Sequence, residues 1–283
     1  MSSPRLSQRE FRSLVPAVSA ALQESDAIVL HYLHRARASR KSDGSEVTIA
    51  DRKAEKLLRG LLRAAWPEDA VLGEEYGGTL ARRGRCWLLD PIDGTASYVL
   101  GMPMFGSLLS LLIDGEPVFG CIHLPALKET TYAAGGHGCW LSRERGKAQR
   151  VRVAPPCRLA QAKVGMTSVK ERAWLNRPGG REVTALAPRV GRFRMVGDCV
   201  QYALLCRGVL DAAVDPFMKP WDVAALVPCV REAGGSISDL HGETSQLIER
   251  DSIVAASCAS LRREITRLTA RSFSTPPASA RRC

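Results

Sequence analysis

The 283-residue sequence has no uninterrupted apolar run of 18 or more residues, so a membrane-spanning helix is not expected. Its opening stretch, "MSSPRLSQREF", lacks the apolar core of a secretory signal, and the expected location is cytoplasmic. No CxxC pair occurs. The nine cysteines are scattered and odd in number, with Cys121 in the apolar "VFGCIHL" and Cys199 and Cys206 in a helical stretch. That usage argues for reduced, mostly buried thiols and against a disulfide framework. The five histidines form no zinc-binding pattern. There is no RNA-binding aromatic signature and no helix-turn-helix pattern. These absences bear on the formal net charge of +11, which would otherwise suit a nucleic-acid binder. The arginines are spread along the chain in small groups, at 35–41, 82–85 and the last few residues. The charge therefore reads as a mild attractor of anions, and nucleic acid is not the expected partner.

What is present is an ordinary globular composition, 45% hydrophobic and 24% charged, long enough for one large domain or two halves sharing a core. Residues 8–36 carry Phe11, Leu14, Val15, Val18 and Leu22 at helical spacing. A second helix is expected from about Asp51 to Trp66, ended by Pro67. Strands are expected at "AVLGEE", "RCWLLD", "GSLLSLLID" and "PVFGCIHLP", the last two joined by a "DGEP" turn, and "TTYAAGGHGCWLS" reads as a further hairpin. "RVRVAPPCRL", with Pro155–Pro156, is the candidate boundary between an N-terminal half (1–155) and a C-terminal half (156–272). Residues 273–283 are the expected disordered tail. The second half alternates strand and helix, which implies α/β layering.

One stretch carries chemistry. In "LLDPIDGTASY", Asp90 ends an apolar run and Pro91 is expected to stop the strand there, so the chain turns and brings Asp93 close to Asp90. Gly94 and Thr95 then offer backbone N–H groups at a helix start, a place suited to phosphate. Adjacent carboxylates repel unless a cation lies between them, and hard oxygen ligands point to Mg²⁺. "LGEEYGG" adds Glu74 and Glu75 at another strand end. "KPWDVAALVPCVREAGG" puts Asp222 at an expected helix N-cap, with Pro228 expected to kink that helix. "VTIADRKAE" offers Asp51, most simply a helix cap.

The order Asp51 in "TIAD", then "GEE", "DPIDGT" and "WDVAA…EAGG", resembles the inositol monophosphatase family over about residues 10–270. The resemblance implies a mixed α+β fold, a five-layer αβαβα sandwich, and a homodimer. It implies a lithium-sensitive phosphatase using two or three Mg²⁺ ions. It places Glu74, Asp90 and the Ile92 carbonyl at one metal site, and Asp90, Asp93 and Asp222 at a second. It makes Gly94 and Thr95 the phosphate-binding pair, and Thr95 with Glu74 the pair that orients the attacking water, with Asp51 fixing the threonine hydroxyl. Such chemistry needs no covalent nucleophile.

Within that family, "GDCVQYALLCRG" and "DPFMKPWDVAALVP" are similar to the histidinol-phosphate phosphatase branch. Asp215 and Asp198 are then the acids expected to meet a cationic leaving group, and Asp93, Cys199 and Asp222 complete the substrate-binding set. Asp198 could equally be a helix N-cap. "VGMTSVKERAW" departs from that branch's wording, which keeps inositol 1-phosphate or a broad range of sugar phosphates as the alternative substrates. An interaction role with RNA or the transcription machinery is the reading from a different class. It rests on the basic charge and on the resemblance, since some members of that family bind the transcription machinery.

Overall fold

A computed structural model describes residues 4–41, 44, 46–143, 146–167 and 186–270. The segment 168–185, most of the "VGMTSVKERAW" departure, and the expected tail lie outside them.

The chain opens with α1 (Gln8–Tyr32), capped by a reciprocal Ser7–Glu10 capping box. A small hairpin, β1 (Ser39–Arg40) and β2 (Glu46–Val47), leads into α2 (Ile49–Ala65). Seven strands follow: β3 (Ala70–Gly73), β4 (Arg85–Asp93), β5 (Gly106–Ile113), β6 (Glu116–Leu124), β7 (Glu129–Ala134), β8 (Gly138–Arg143) and β9 (Gln149–Val151). They form one sheet in chain order, with only the β3–β4 pair parallel. The short helix α3 (Thr95–Val99) lies between β4 and β5. The second half contributes β10 (Lys163–Met166), β11 (Arg192–Met195), α4 (Asp198–Cys206), β12 (Ala212–Asp215), α5 (Pro220–Glu232), β13 (Ser236–Ser238), β14 (Ile253–Ala256) and α6 (Ala259–Ala270). Its five strands run β11-β10-β12-β14-β13, parallel up to β12 and antiparallel beyond.

The apolar residues sort into layers as the alternation of the strands requires. Leu14, Val18 and Leu22 of α1 and Leu58 and Leu62 of α2 pack with Trp87, Leu89, Leu109 and Leu111 on one face of the large sheet. Leu88, Leu108, Leu112 and Ile122 on its other face meet Tyr202 of α4 and Val223, Leu226 and Val230 of α5. Those two helices also cover Ala213, Ile253 and Ala255 of the small sheet. On its far side Val164, Ala212, Val214 and Val254 pack against Leu261 and Ile265 of α6. The order is α-β-α-β-α, the five-layer sandwich that the resemblance implied. Among the described residues no helix is long and apolar enough to cross a membrane, and no disulfide is formed. Six of the eight described cysteines are buried.

One proline expectation meets a different outcome. Pro91 does not stop its strand: β4 runs on to Asp93. Two residues of β4, Pro91 and Ile92, lie between the pairs Asp90–Leu108 and Asp93–Gly106, where β5 has only Ser107. This β-bulge takes up the residue that has no N–H to give, and the Ser107 hydroxyl donates to the Pro91 carbonyl at 2.7 Å. Pro228 lies inside helix α5, which is continuous through it. The carbonyl that Pro228 cannot pair, that of Ala224, lies 3.1 Å from the Ser110 hydroxyl of the sheet below.

Candidate active site

The bulge decides where the acids go. Residues three apart in a regular strand point to opposite faces, but the extra residue turns Asp90 and Asp93 toward one place. Asp222 joins them from the first turn of α5, and carboxylate oxygens of the three lie within 4.8 Å of one another. Asp222 is not the N-cap it was expected to be. Lys219 is the N-cap and Pro220 the first helical residue, and the Asp222 carboxylate accepts from the Lys219 amide at 2.7 Å. Asp51 sits the same way in α2: Thr48 is the cap, and its amide and hydroxyl donate to Asp51 Oδ2 at 2.8 and 2.6 Å. Asp90 accepts from the Ile92 amide at 2.9 Å, and Asp93 from the Cys199 amide at 2.5 Å.

Among the described residues no ion pair is made by Asp90, Asp93 or Asp222. Burial pushes the Asp90 carboxyl well above the usual carboxylate range, and Glu74, Asp93 and Asp222 add to it. Burial, then Asp198 and Asp222, push Asp93 the same way, against the pull of the Cys199 contact. Asp222 is pushed up to about 8 by burial, opposed by the Lys219 amide and helped by Glu74, Asp198 and Asp215. A partly buried, all-oxygen acidic cluster with no cation of its own fits a hard divalent ion such as Mg²⁺.

Glu74 follows β3 and stands beside Asp90, outside the triad of mutually close oxygens. Its Oε1 accepts from Lys41 Nζ at 2.7 Å, and the same ammonium reaches Glu75 at 2.6 Å. Burial works against the Lys41 charge, but the two glutamates more than offset it and raise the group's pKa. Lys41 had drawn no attention in the sequence, because it stands in a polar loop 33 residues from its partner. Thr95 opens α3, and its hydroxyl lies 3.3 Å from Asp51 Oδ1 and 3.1 Å from the Ile92 carbonyl. Gly94 holds a left-handed φ of 88°, and a Cβ there would sit 2.7 Å from Asp198 Oδ2 and 3.0 Å from the Met104 carbonyl. Only glycine fits this turn.

A cleft opens from Asp93 and Asp222 toward the small sheet, lined also by Asp198, Cys199, Asp215 and Phe217. Asp198 is the first residue of α4 rather than its N-cap, which is Gly197; its amide donates to Thr167 Oγ1 at 3.1 Å and its φ is 45°. Burial raises its carboxyl to about 6. Asp215 ends β12 and is 4% exposed. Gln201 Nε2 and the Tyr202 hydroxyl both donate to its Oδ2, at 2.5 and 2.9 Å. Burial pushes Asp215 up to about 7, opposed by hydrogen bonds from Thr167, Tyr202 and Gln201. Every residue singled out from the sequence thus lies in or beside one site. Glu55, Arg59, Gln201 and Tyr202 were missed: an i, i+4 acid–base pair reads as helix surface, and a glutamine carries no signal of its own.

Comparison with known proteins bears on this geometry. Residues 12–275 match the inositol monophosphatase family. The chain is similar to the histidinol-phosphatase of Mycobacterium tuberculosis, 41% identical over 73% of this chain and 78% of that protein. It is 36% identical to the histidinol-phosphatase of Chlorobaculum parvum, over 77% of this chain and 82% of that one. Its fold is similar to that of an IMPase of Thermotoga maritima, with a TM-score of 0.81 and 25% identity over 92% of this chain and 98% of the other.

Proposed function

The chain belongs to the inositol monophosphatase family, and from that premise we propose that it hydrolyses histidinol phosphate. It is a phosphoric monoester hydrolase of a family that generally uses Mg²⁺. The observation that carries the finer reading is Asp215. It is a buried acid lining the same cleft as Asp93 and Asp222, and in this proposal it meets the amine of a cationic leaving group. Asp198, on the same cleft, adds a second negative charge.

In this proposal Glu74, Asp90, Asp93, Asp222 and the Ile92 carbonyl hold two or three Mg²⁺ ions. Bound there, the ions supply neutralisation of the phosphoryl oxygens, acidification of the attacking water and stabilisation of the leaving alkoxide. The chain's own groups do the rest. Asp51, fixed by Thr48, accepts from the Thr95 hydroxyl and so turns the threonine's lone pairs outward. With Glu74, that hydroxyl orients the attacking water. The Gly94 and Thr95 amides hold the phosphate at the start of α3. Lys41 limits the repulsion between Glu74 and its neighbours.

Inositol 1-phosphate or a wider set of sugar phosphates is the second reading. Asp215, already organised by Tyr202 and Gln201, would accept from hydroxyls as readily as from an amine. Phosphate release with Mg²⁺ from histidinol phosphate, inositol 1-phosphate, fructose 1,6-bisphosphate and 3′-phosphoadenosine 5′-phosphate decides between them. The proposal requires the highest kcat/KM on histidinol phosphate, and a preference for inositol 1-phosphate would replace it. A homodimer is part of the same reading, supported by Leu100 and Met102, 75% and 45% exposed just past α3. So is a reducing, cytoplasmic setting, in keeping with the unpaired thiols.

A further inference from the structure

Glu74, like Asp222, is a metal ligand of the proposed site that the bulge does not place. The turn that carries it runs from the end of β3 at Gly73 to Gly77, closed by the Gly73 amide on the Gly77 carbonyl at 3.1 Å. The two amides after Glu74 both donate to one carboxylate: Glu75 N reaches Glu55 Oε2 at 2.6 Å, and Tyr76 N reaches Glu55 Oε1 at 3.0 Å. Glu55 is fully buried, and its contact with the turn is backbone to carboxylate. A Cβ on Gly73 would lie 2.3 Å from Glu55 Oε1. Arg59, one helical turn on, pairs with Glu55 at 2.7 Å. It also donates to the Val71 carbonyl at 3.3 Å and to the Gly77 carbonyl, so one guanidinium grips the chain on both sides of Glu74.

Asp51, Glu55 and Arg59 follow one another at i, i+4 and i+8 on the buried face of α2. The first holds Thr95, and the other two hold the turn of Glu74. Thr95 and Glu74 are the pair that must face the same water, and a single rigid helix sets both. A buried ion pair is rarely the most stabilising filling for its volume, whereas its fixed geometry orients whatever it grips. We propose that Glu55, clamped by Arg59, is a positioning residue that presets Glu74 for the divalent cation. The inference rests on the reading of Glu74 as a metal ligand.

The test uses the full chain, Mn²⁺ as probe, and three variants: Glu55→Gln, Arg59→Lys, and Ile265→Ala in the distant α6 core as a stability control. Bound Mn²⁺ is counted by electron paramagnetic resonance without substrate, beside the melting temperature and the Mg²⁺ dependence of activity. Glu55→Gln should weaken Mn²⁺ binding about 10-fold or more and raise the half-saturating Mg²⁺ in proportion. Arg59→Lys, which keeps charge and loses the fork, should fall between. Ile265→Ala should lower the melting temperature and move neither metal readout. A folded Glu55→Gln, or Arg59→Lys if the first does not fold, that binds Mn²⁺ as tightly as wild type would overturn the inference. A wild-type chain that binds no Mn²⁺ would overturn it together with the metal reading, which the variants alone cannot do.

Discussion

Replacing Asp215 by asparagine separates the charge of that residue from its structural work. Both internal donors, Gln201 Nε2 and the Tyr202 hydroxyl, converge on Oδ2. An asparagine that keeps its carbonyl oxygen there retains both contacts and exchanges only the other oxygen for an amide nitrogen. The fold should hold, and what is lost is the anion. A hydrogen bond to a charged group is worth about 1.5–3 kcal/mol, so kcat/KM for histidinol phosphate should fall roughly 10- to 150-fold. Glycerol 2-phosphate, an ester of an uncharged alcohol, should lose no more than about threefold under the same conditions. A second signature follows from burial, which pushes the Asp215 carboxyl up to about 7. Wild-type discrimination in favour of the cationic substrate should grow as pH rises through that value, while the amine stays protonated, and the asparagine variant should show no such rise. Both substrates are compared side by side at saturating Mg²⁺. Equal losses on the two, or a discrimination unchanged with pH, would remove Asp215 from substrate selection and the histidinol reading with it.

Chelation should abolish phosphatase activity and Mg²⁺ restore it, and lithium should inhibit by competing for a metal position. Asp90→Asn should cut kcat by several orders of magnitude and yet raise the melting temperature of the metal-free protein, since it removes one member of a repelling cluster; a lower melting temperature would contradict the electrostatics described. Thr95→Ala should lower kcat by roughly 10²-fold with KM little changed. A raised KM at constant kcat would make Thr95 a substrate-binding residue instead. For the metal-free protein, Asp198, Asp215 and Asp222 have folded pKa values raised to about 6, 7 and 8, so the folded state holds protons that the unfolded state has released. Their contribution is fully present below the ordinary carboxylate range, near pH 4, and is lost as pH rises toward about 8. Metal-free melting temperatures should fall across that window and the shift produced by Mg²⁺ should grow; a metal-free protein that gains stability over it would reverse the argument.

The acids of the site could be found in the sequence because "DPIDGT" and "WDVAA" are local, and local patterns survive without knowledge of what packs on them. The apolar periods of α1, α2 and the hairpins were readable for the same reason. The path of β4 through Pro91 was not, because it depends on β5 across the sheet, where Ser107 takes the proline's carbonyl and the register slips by one. The place of Asp222 within α5 was nearly readable: Pro220 favours the first helical position, but lysine is a poor N-cap and hides the true boundary. Lys41 and Glu55 act across gaps of 33 and 20 residues, on groups that nothing nearby in the chain announces.

Helix α5 rests on the large sheet at Gly120, where a Cβ would come within 2.1 Å of the Ala225 carbonyl and 2.7 Å of Pro228 Cγ. Backbone therefore bears on backbone, one turn from Asp222. Side chains elsewhere in the core can trade volume with their neighbours, but Gly120 has none to trade against the Ala225 carbonyl. It works as a gauge block: the height of the helix above the sheet, and with it the gap between Asp222 and the Asp90–Asp93 pair, is set by the thickness of two main chains. The core around it is free to drift in sequence while that gap stays constant, and a single methyl group at Gly120 would open the metal site without touching one of its ligands.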